Sequence, residues 1–239
     1  MNFSGNVGKT TVAGQLLKPR MPEAQIFSIE SINSGADADG LDVDKMKGNK
    51  YAELIKKITK LDSAIIDVGA SNVEDFLKLM QQHAGSHEDF DYFLIPTAKE
   101  KKVQMDTINT IQSLKNIGIE KEKILLVFNK LDIDESALEE FAALFGLAAV
   151  ENSFIVNAGA VIYSNEVYDK LKTAKKSLLD VTNDPTNYRA QLKELKTEEE
   201  KDKCIDMIAI KRLAITANKN LDDVYKALFS WLGVCVERT

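Results

Sequence analysis

Hydrophobic positions along the chain fall into short runs separated by longer stretches of mixed character. Five runs, AQIFSI (24–29), SAIIDV (63–68), DYFLIP (91–96), KILLVFN (123–129) and NSFIV (152–156), are rich in Ile, Val, Leu and Phe and show no clean alternation. That pattern predicts strands buried on both faces, as in a parallel sheet covered by helices. Between them, apolar residues recur at helical spacing. TTVAGQLL (10–17), YAELIKKITKL (51–61), VEDFLKLMQQ (73–82), VQMDTINTIQSLKNIGI (103–119) and ESALEEFAALFG (135–146) are the expected helices. Ile108, Ile111 and Leu114 share one face, Ser136 is an expected cap, and Gly118 and Gly146 are expected stops.

Alternation of strand and helix implies right-handed crossovers and a doubly wound α/β fold, a mainly parallel sheet flanked by helices. The last third changes character. Strands are expected to cease after about residue 157, leaving helices at YDKLKTAKKSLLD (168–180) and across 196–232, with a break in the latter at Asn218–Asn220. The chain therefore reads as a single domain over 1–239, an α/β core at 1–157 with a helical C-terminal extension at 158–239. Leu228, Phe229 and Trp231 are expected to pack on that core.

Composition narrows the function classes. With 239 residues, 44% of them hydrophobic, the chain suits one domain with a substantial core. No apolar run approaches the roughly 20 residues of a membrane span, and the N-terminus lacks a signal-peptide pattern, so a cytoplasmic location is expected. The two cysteines, Cys204 and Cys235, form no CxxC motif and suit a reducing compartment. His83 and His87 are the only histidines, which excludes a His-rich metal site; Gly85 and Ser86 between them favour a loop. A net charge of −6 argues against nucleic-acid binding by the whole surface. Local basic patches remain at Lys99, Lys101 and Lys102, and at Lys170, Lys172, Lys175 and Lys176, the second group being expected as solvated helix faces.

Three strand tips carry the chemistry. FSGNVGKTT (3–11) ends as a phosphate-binding loop does, although Phe3 stands where the pattern G-x-x-x-x-G-K-[ST] has its first glycine. Gly5 and Gly8 permit a tight turn with N–H groups aimed inward, and the helix that follows adds its N-terminal partial charge. Lys9 is expected to reach the β- and γ-phosphates, Thr10 to ligate Mg²⁺ and Thr11 to meet the α-phosphate. Only Met1, Asn2 and Phe3 precede Ser4 and Gly5 where a strand of five or six residues is normal, so the first strand is short or lies partly upstream. AIIDVGA places Asp67 at a strand tip, able to hold the water shell of Mg²⁺, with the Gly69 N–H toward the γ-phosphate. FNKLD places Asn129, Lys130 and Asp132 at a third tip. Its Asn-Lys-x-Asp spacing reads guanine, and an Asn there equally accepts an adenine amino group.

Three tips in this order indicate a P-loop nucleotide-binding protein, and the residues resemble a family. SGNVGKTT, taking in Gly5, Asn6, Val7, Gly8, Lys9, Thr10 and Thr11, is similar to the deviant Walker A loop KGGVGKTT of the ParA/MinD ATPases. DVGA, VFNKLD and FLIPTAKEKKVQ resemble plasmid stability proteins of the StbB type within that group. The resemblance implies a slow, Mg²⁺-dependent ATPase, GTP being the alternative, with Lys9 and Asp67 catalytic. It also implies a nucleotide-driven homodimer, a DNA-bound adaptor, nonspecific DNA through a local basic patch, and a plasmid- or nucleoid-associated role in bacterial segregation. Non-hydrolysing occupancy is the further alternative. Two departures bear on this. The signature lysine of the family falls at Ser4. Of the switch acids expected in SIESIN, Glu30 matches the first and Ile32 occupies the second, with Asn33, Asp37 and Asp39 nearby either as substitutes or as a solvated loop. Lys99, Lys101 or Lys102 is a candidate replacement for the absent lysine, or forms a patch facing DNA or a partner.

Overall fold

The structure, a computed structural model, describes residues 1–29, the strand backbone at 44–46, and residues 51–174 and 176–230. Glu30, Ile32, Asn33, Asp37, Asp39, Lys175, Trp231 and Cys235 lie outside them. The described residues form six strands: β1 (Gln25–Ile29), β2 (Asp44–Met46), β3 (Ala64–Val68), β4 (Phe93–Thr97), β5 (Ile124–Leu131) and β6 (Val161–Tyr163). All pair in parallel, in the orders β2-β1-β3 and β4-β5-β6. The near-continuous apolar runs of β1 and β5 follow from helices on both faces.

The first helical segment runs as α1 (Lys9–Thr11), a π-helical stretch at Val12–Leu17 and a 3₁₀ turn at Lys18–Arg20. It is followed by α2 (Tyr51–Ile58), α3 (Val73–Gln82), α4 (Lys101–Ile117), α5 (Ala137–Glu140), α6 (Ala142–Glu151), α7 (Val167–Ala174), α8 (Leu178–Asn183), α9 (Tyr188–Leu192) and α10 (Glu198–Phe229). One face of the sheet packs Phe27, Phe76, Ile111, Leu114 and Phe128 together. The other packs Val12, Leu16, Val127 and Ile162 against Ala214, Leu221 and Val224 of α10.

Four expectations need correction. NSFIV is not a strand: Ile155 makes only an isolated bridge to Leu125. Strands do not cease at 157, because VIY forms β6 on the outer side of β5. Three residues between loops give too short an apolar run to register as a strand. Gly146 does not stop its helix; α6 continues to Glu151 and ends at Asn152 in the left-handed conformation (φ 49°). Nor does α10 break at Asn218–Asn220. The Asn218 carbonyl accepts from Arg20, while Asn220 donates to the Val161 carbonyl at 2.8 Å and accepts from Tyr163 N–H at 3.1 Å. These asparagines tie the helix to the sheet and to the first helical segment.

Residues 1–3 are not a strand but hold the sheet's interior. Neither β3 nor β4 pairs with the other among the described residues, and a cavity of about 240 Å³ lined by both lies between them. At one side of it the Met1 amine donates to the Leu94 carbonyl at 2.8 Å. Burial pushes this amine down to about 5, against the upward pull of the Asp67 charge. The Asn2 side chain donates to Pro96 O and Thr107 Oγ1 and accepts from Ser4 N–H, so the segment is stapled to β4 and α4 through polar groups.

Candidate functional site

Gly8 has φ 87° and caps α1, a left-handed conformation that favours glycine. It also lies against Asn129, whose Nδ2 would sit 2.0 Å from a Cβ at that position. Asn129, buried at the tip of β5, uses both ends of its amide: Nδ2 donates to Val7 O at 2.8 Å and Oδ1 accepts from Lys130 N–H at 2.9 Å. Lys130, itself at φ 61°, donates from Nζ to Asn6 O at 2.7 Å. The tip of β5 therefore shapes and fastens the glycine loop.

At the other end of the loop, Thr10 Oγ1 donates to Asp67 Oδ2 at 2.9 Å, joining the first two tips. The Lys9 ammonium folds back over the loop and donates to Ser4 O at 2.5 Å and Asn2 O at 3.3 Å. Desolvation lowers its pKa, and the nearby Asp67 charge partly restores it. Ser4, at the entry to the loop, donates to Asp106 Oδ2 at 2.5 Å.

These groups border a cavity of about 890 Å³. It is lined by Gly5, Asn6, Gly8, Lys9, Thr10, Thr11, Asp67, Gly69, Asn129 and Lys130 among the expected residues. Val7 is 1% exposed and faces the core, contributing its carbonyl to Asn129. The Gly69 N–H is committed to Ile29 O at 2.9 Å, which leaves it no proton for a phosphate in this arrangement. Asp132 does not line the cavity. Its N–H is taken by Glu135, and its carboxylate lies 3.8 Å from Lys99. Lys99 in turn pairs with Glu135 at 2.5 Å, and none of Lys99, Lys101 and Lys102 reaches the cavity. The turn-rich NKLDIDES sequence thus closes on itself instead of presenting its acid.

Other lining residues went unanticipated: Ala70 and Ser71 after β3, and Tyr163, Ser164, Asn165, Glu166, Tyr168, Asp169 and Lys172 from the end of β6 and from α7. Recognising β6 as a strand would have placed SNE at a fourth tip beside the first three. Lys172, expected as a solvated face, belongs to this border. Among the described residues no cluster of three or more His, Cys, Asp or Glu is arranged to hold a metal. A Thr hydroxyl beside one carboxylate fits Mg²⁺ of the kind that takes its remaining ligands from water and phosphate.

No protein-family profile matches this sequence, and no curated protein does. Among solved structures, a Borrelia burgdorferi B31 protein described as a plasmid partition protein, bound to AMPPNP, superposes with a TM-score of 0.50 at 12% identity. The match covers 87% of this chain and 95% of that one. An aspartate-to-alanine variant of Cyanothece McdA in complex with ATP matches at a TM-score of 0.43 and 16% identity, covering 90% and 94%. With its parallel sheet, flanking helices and glycine loop leading into α1, the chain has the fold of the P-loop NTPases.

Proposed function

We propose that this protein binds ATP with Mg²⁺ at the 890 Å³ cavity and acts as a nucleotide-dependent dimerising switch in plasmid partition or stability, with a DNA-bound adaptor as partner. One observation carries the nucleotide reading: the left-handed Gly8 sets Lys9, Thr10 and Asp67 side by side, with the Thr10–Asp67 bond at 2.9 Å. A glycine loop of this kind, backed by a carboxylate at the next strand tip, is built for phosphate oxygens. The fold-level likeness to a protein solved with AMPPNP supports the same ligand class.

Lys9 would leave the Ser4 carbonyl and turn to the β- and γ-phosphates, whose negative charge offsets the desolvation of its ammonium. Thr10 and Asp67 would hold Mg²⁺, which supplies charge neutralisation at the phosphate oxygens. Asn129 and Lys130 keep the loop in shape, and the 163–166 segment also borders the cavity. Adenine is favoured over guanine because Asp132, the acid a guanine reader needs, is bound up with Glu135 and Lys99 outside the cavity. Ser4, held by Asp106, offers no cation across a dimer, so hydrolysis is slow.

Titration with ATP–Mg²⁺ and GTP–Mg²⁺, followed by sedimentation of the loaded protein, tests the proposal. Tighter ATP binding and a shift to a dimer are expected. A tenfold preference for GTP overturns the choice of base, and a monomer with every nucleotide overturns the switch.

A further inference from the structure

α10 is 32 residues long and buries Cys204, Ile210, Ala214, Ala217 and Leu221 against the rest of the chain. A second apolar stripe runs beside this one. Ile205, Ile208 and Ile215 fall with Arg212 at alternating spacings of three and four, which places them on one side of the helix. Ile205 is 50% and Ile215 53% exposed, the two large aliphatic side chains of α10 left most open to solvent.

Where this stripe meets the turn before α9, it forms a groove of about 380 Å³ with an apolar lining from Pro185, Tyr188, Ile208 and Ile215. The same groove carries Arg189, Lys211 and Arg212. Among the described residues neither arginine has an ion-pair partner. The Lys211 ammonium is fixed by the Asp184 and Thr186 carbonyls and lies 6.0 Å from the Tyr188 ring centroid. The Asp184 carboxylate is occupied by Thr186 N–H and the Tyr188 hydroxyl. On a chain of net charge −6, three cations against the one Asp184 carboxylate leave the groove net positive.

We propose that this groove docks an acidic amphipathic segment of a partner protein. Aliphatic side chains of the segment would seat on Ile208 and Ile215, and its carboxylates would meet Arg189, Lys211 and Arg212. A planar guanidinium recognises a carboxylate bidentately, and the apolar floor supplies burial that a polyanion alone does not use. Nucleic acid fits less well: Glu198, Glu199, Glu200, Asp202 and Asp206 on the same helix would repel a phosphate backbone continuing along it. The site lies outside the nucleotide cavity, and the inference does not depend on the nucleotide reading.

The test is fluorescence anisotropy with three labelled 12-residue helical peptides: one of Leu and Glu, one with Lys for Glu, and one with Ser for Leu. A 20-base-pair duplex serves as the nucleic-acid probe. The Leu–Glu peptide is expected to bind, the other two to bind at least about tenfold more weakly, and Arg212→Glu and Ile215→Ser each to weaken it about tenfold with unchanged circular dichroism. No binding of the Leu–Glu peptide, or binding unaffected by both substitutions, overturns the proposal. It is equally overturned if the duplex binds more tightly and Arg212→Glu removes it. A dimer abolished by Ile215→Ser, without peptide binding, reassigns the groove to a second copy and also refutes it.

Discussion

Replacing Gly8 with alanine strikes two features at once, and the structure separates their sizes. At φ 87° an L-residue is strained, a cost of about 1–2 kcal/mol. The new Cβ would lie 2.0 Å from Asn129 Nδ2, so the amide must move and its 2.8 Å bond to Val7 O is lost. Breaking a buried hydrogen bond of this kind costs about 1–3 kcal/mol. The sum, roughly 2–5 kcal/mol, corresponds to a fall of roughly 4–20 °C in Tm for a chain of this size. Gly5→Ala is the internal control, because nothing lies within 4 Å of its Cβ and its φ is not positive; it should change stability by less than about 0.5 kcal/mol. Urea denaturation of Gly8→Ala, Asn129→Ala and the double variant completes the measurement. With Asn129 already truncated, Gly8→Ala should cost only its backbone strain, so the two effects couple by about 1–3 kcal/mol. Equal costs for Gly8→Ala in both backgrounds, or a cost no larger than that of Gly5→Ala, would mean that the left-handed Gly8 and its contact with Asn129 do not hold the loop.

Three other outcomes follow from the same geometry. Arg20 is nearly buried and joins Gln15, Leu16, Asn218 and the half-exposed Asp222, so Arg20→Ala should destabilise by about 1–3 kcal/mol, read by urea denaturation; no measurable loss would mean that α10 is not anchored there. Burial lowers the Lys9 pKa below 10.5, so part of the Lys9 population is neutral at alkaline pH below that value. Triphosphate binding stabilises the charged form, so calorimetry in buffers of different ionisation heat should show proton uptake in that window, absent in Lys9→Met. Finally, a fused segment of apolar, β-branched residues ahead of Met1 should enter the 240 Å³ gap between β3 and β4 and raise Tm, while a proline-containing segment of equal length, lacking ladder donors, should not.

Much of the sheet was legible in the sequence because buried parallel strands are written as unbroken apolar runs: β1, β3, β4 and β5 each fall within a residue or two of where those runs place them. α3 coincides with VEDFLKLMQQ, and Gly118 ends α4 at φ 94° as its lack of a side chain suggests. What escaped is tertiary. Asn218 and Asn220 read as a helix break from propensity alone, yet their side chains and carbonyls are spent on Arg20, Val161 and Tyr163. At the site, the glycine loop and Asp67 were legible because each motif is local. The outward turn of Asp132 was not, since it depends on Glu135 and Lys99, the latter from a different segment. The capping boxes at Ser177 and Thr197, each answered by an acid three residues on, define the starts of α8 and α10, and the first of them starts a new helix inside the single one expected over 168–180.

Under the proposed function, Lys9, Thr10 and Asp67 form a triphosphate site. Calorimetric titration of the whole chain with ATP, with and without Mg²⁺, tests it most directly when repeated on Lys9→Ala. Saturable, Mg²⁺-dependent binding to the unaltered protein is expected, weakened at least about tenfold, or about 1.4 kcal/mol, by Lys9→Ala with the fold intact. Absence of binding by any nucleoside triphosphate, or binding equally strong without the lysine, would contradict it.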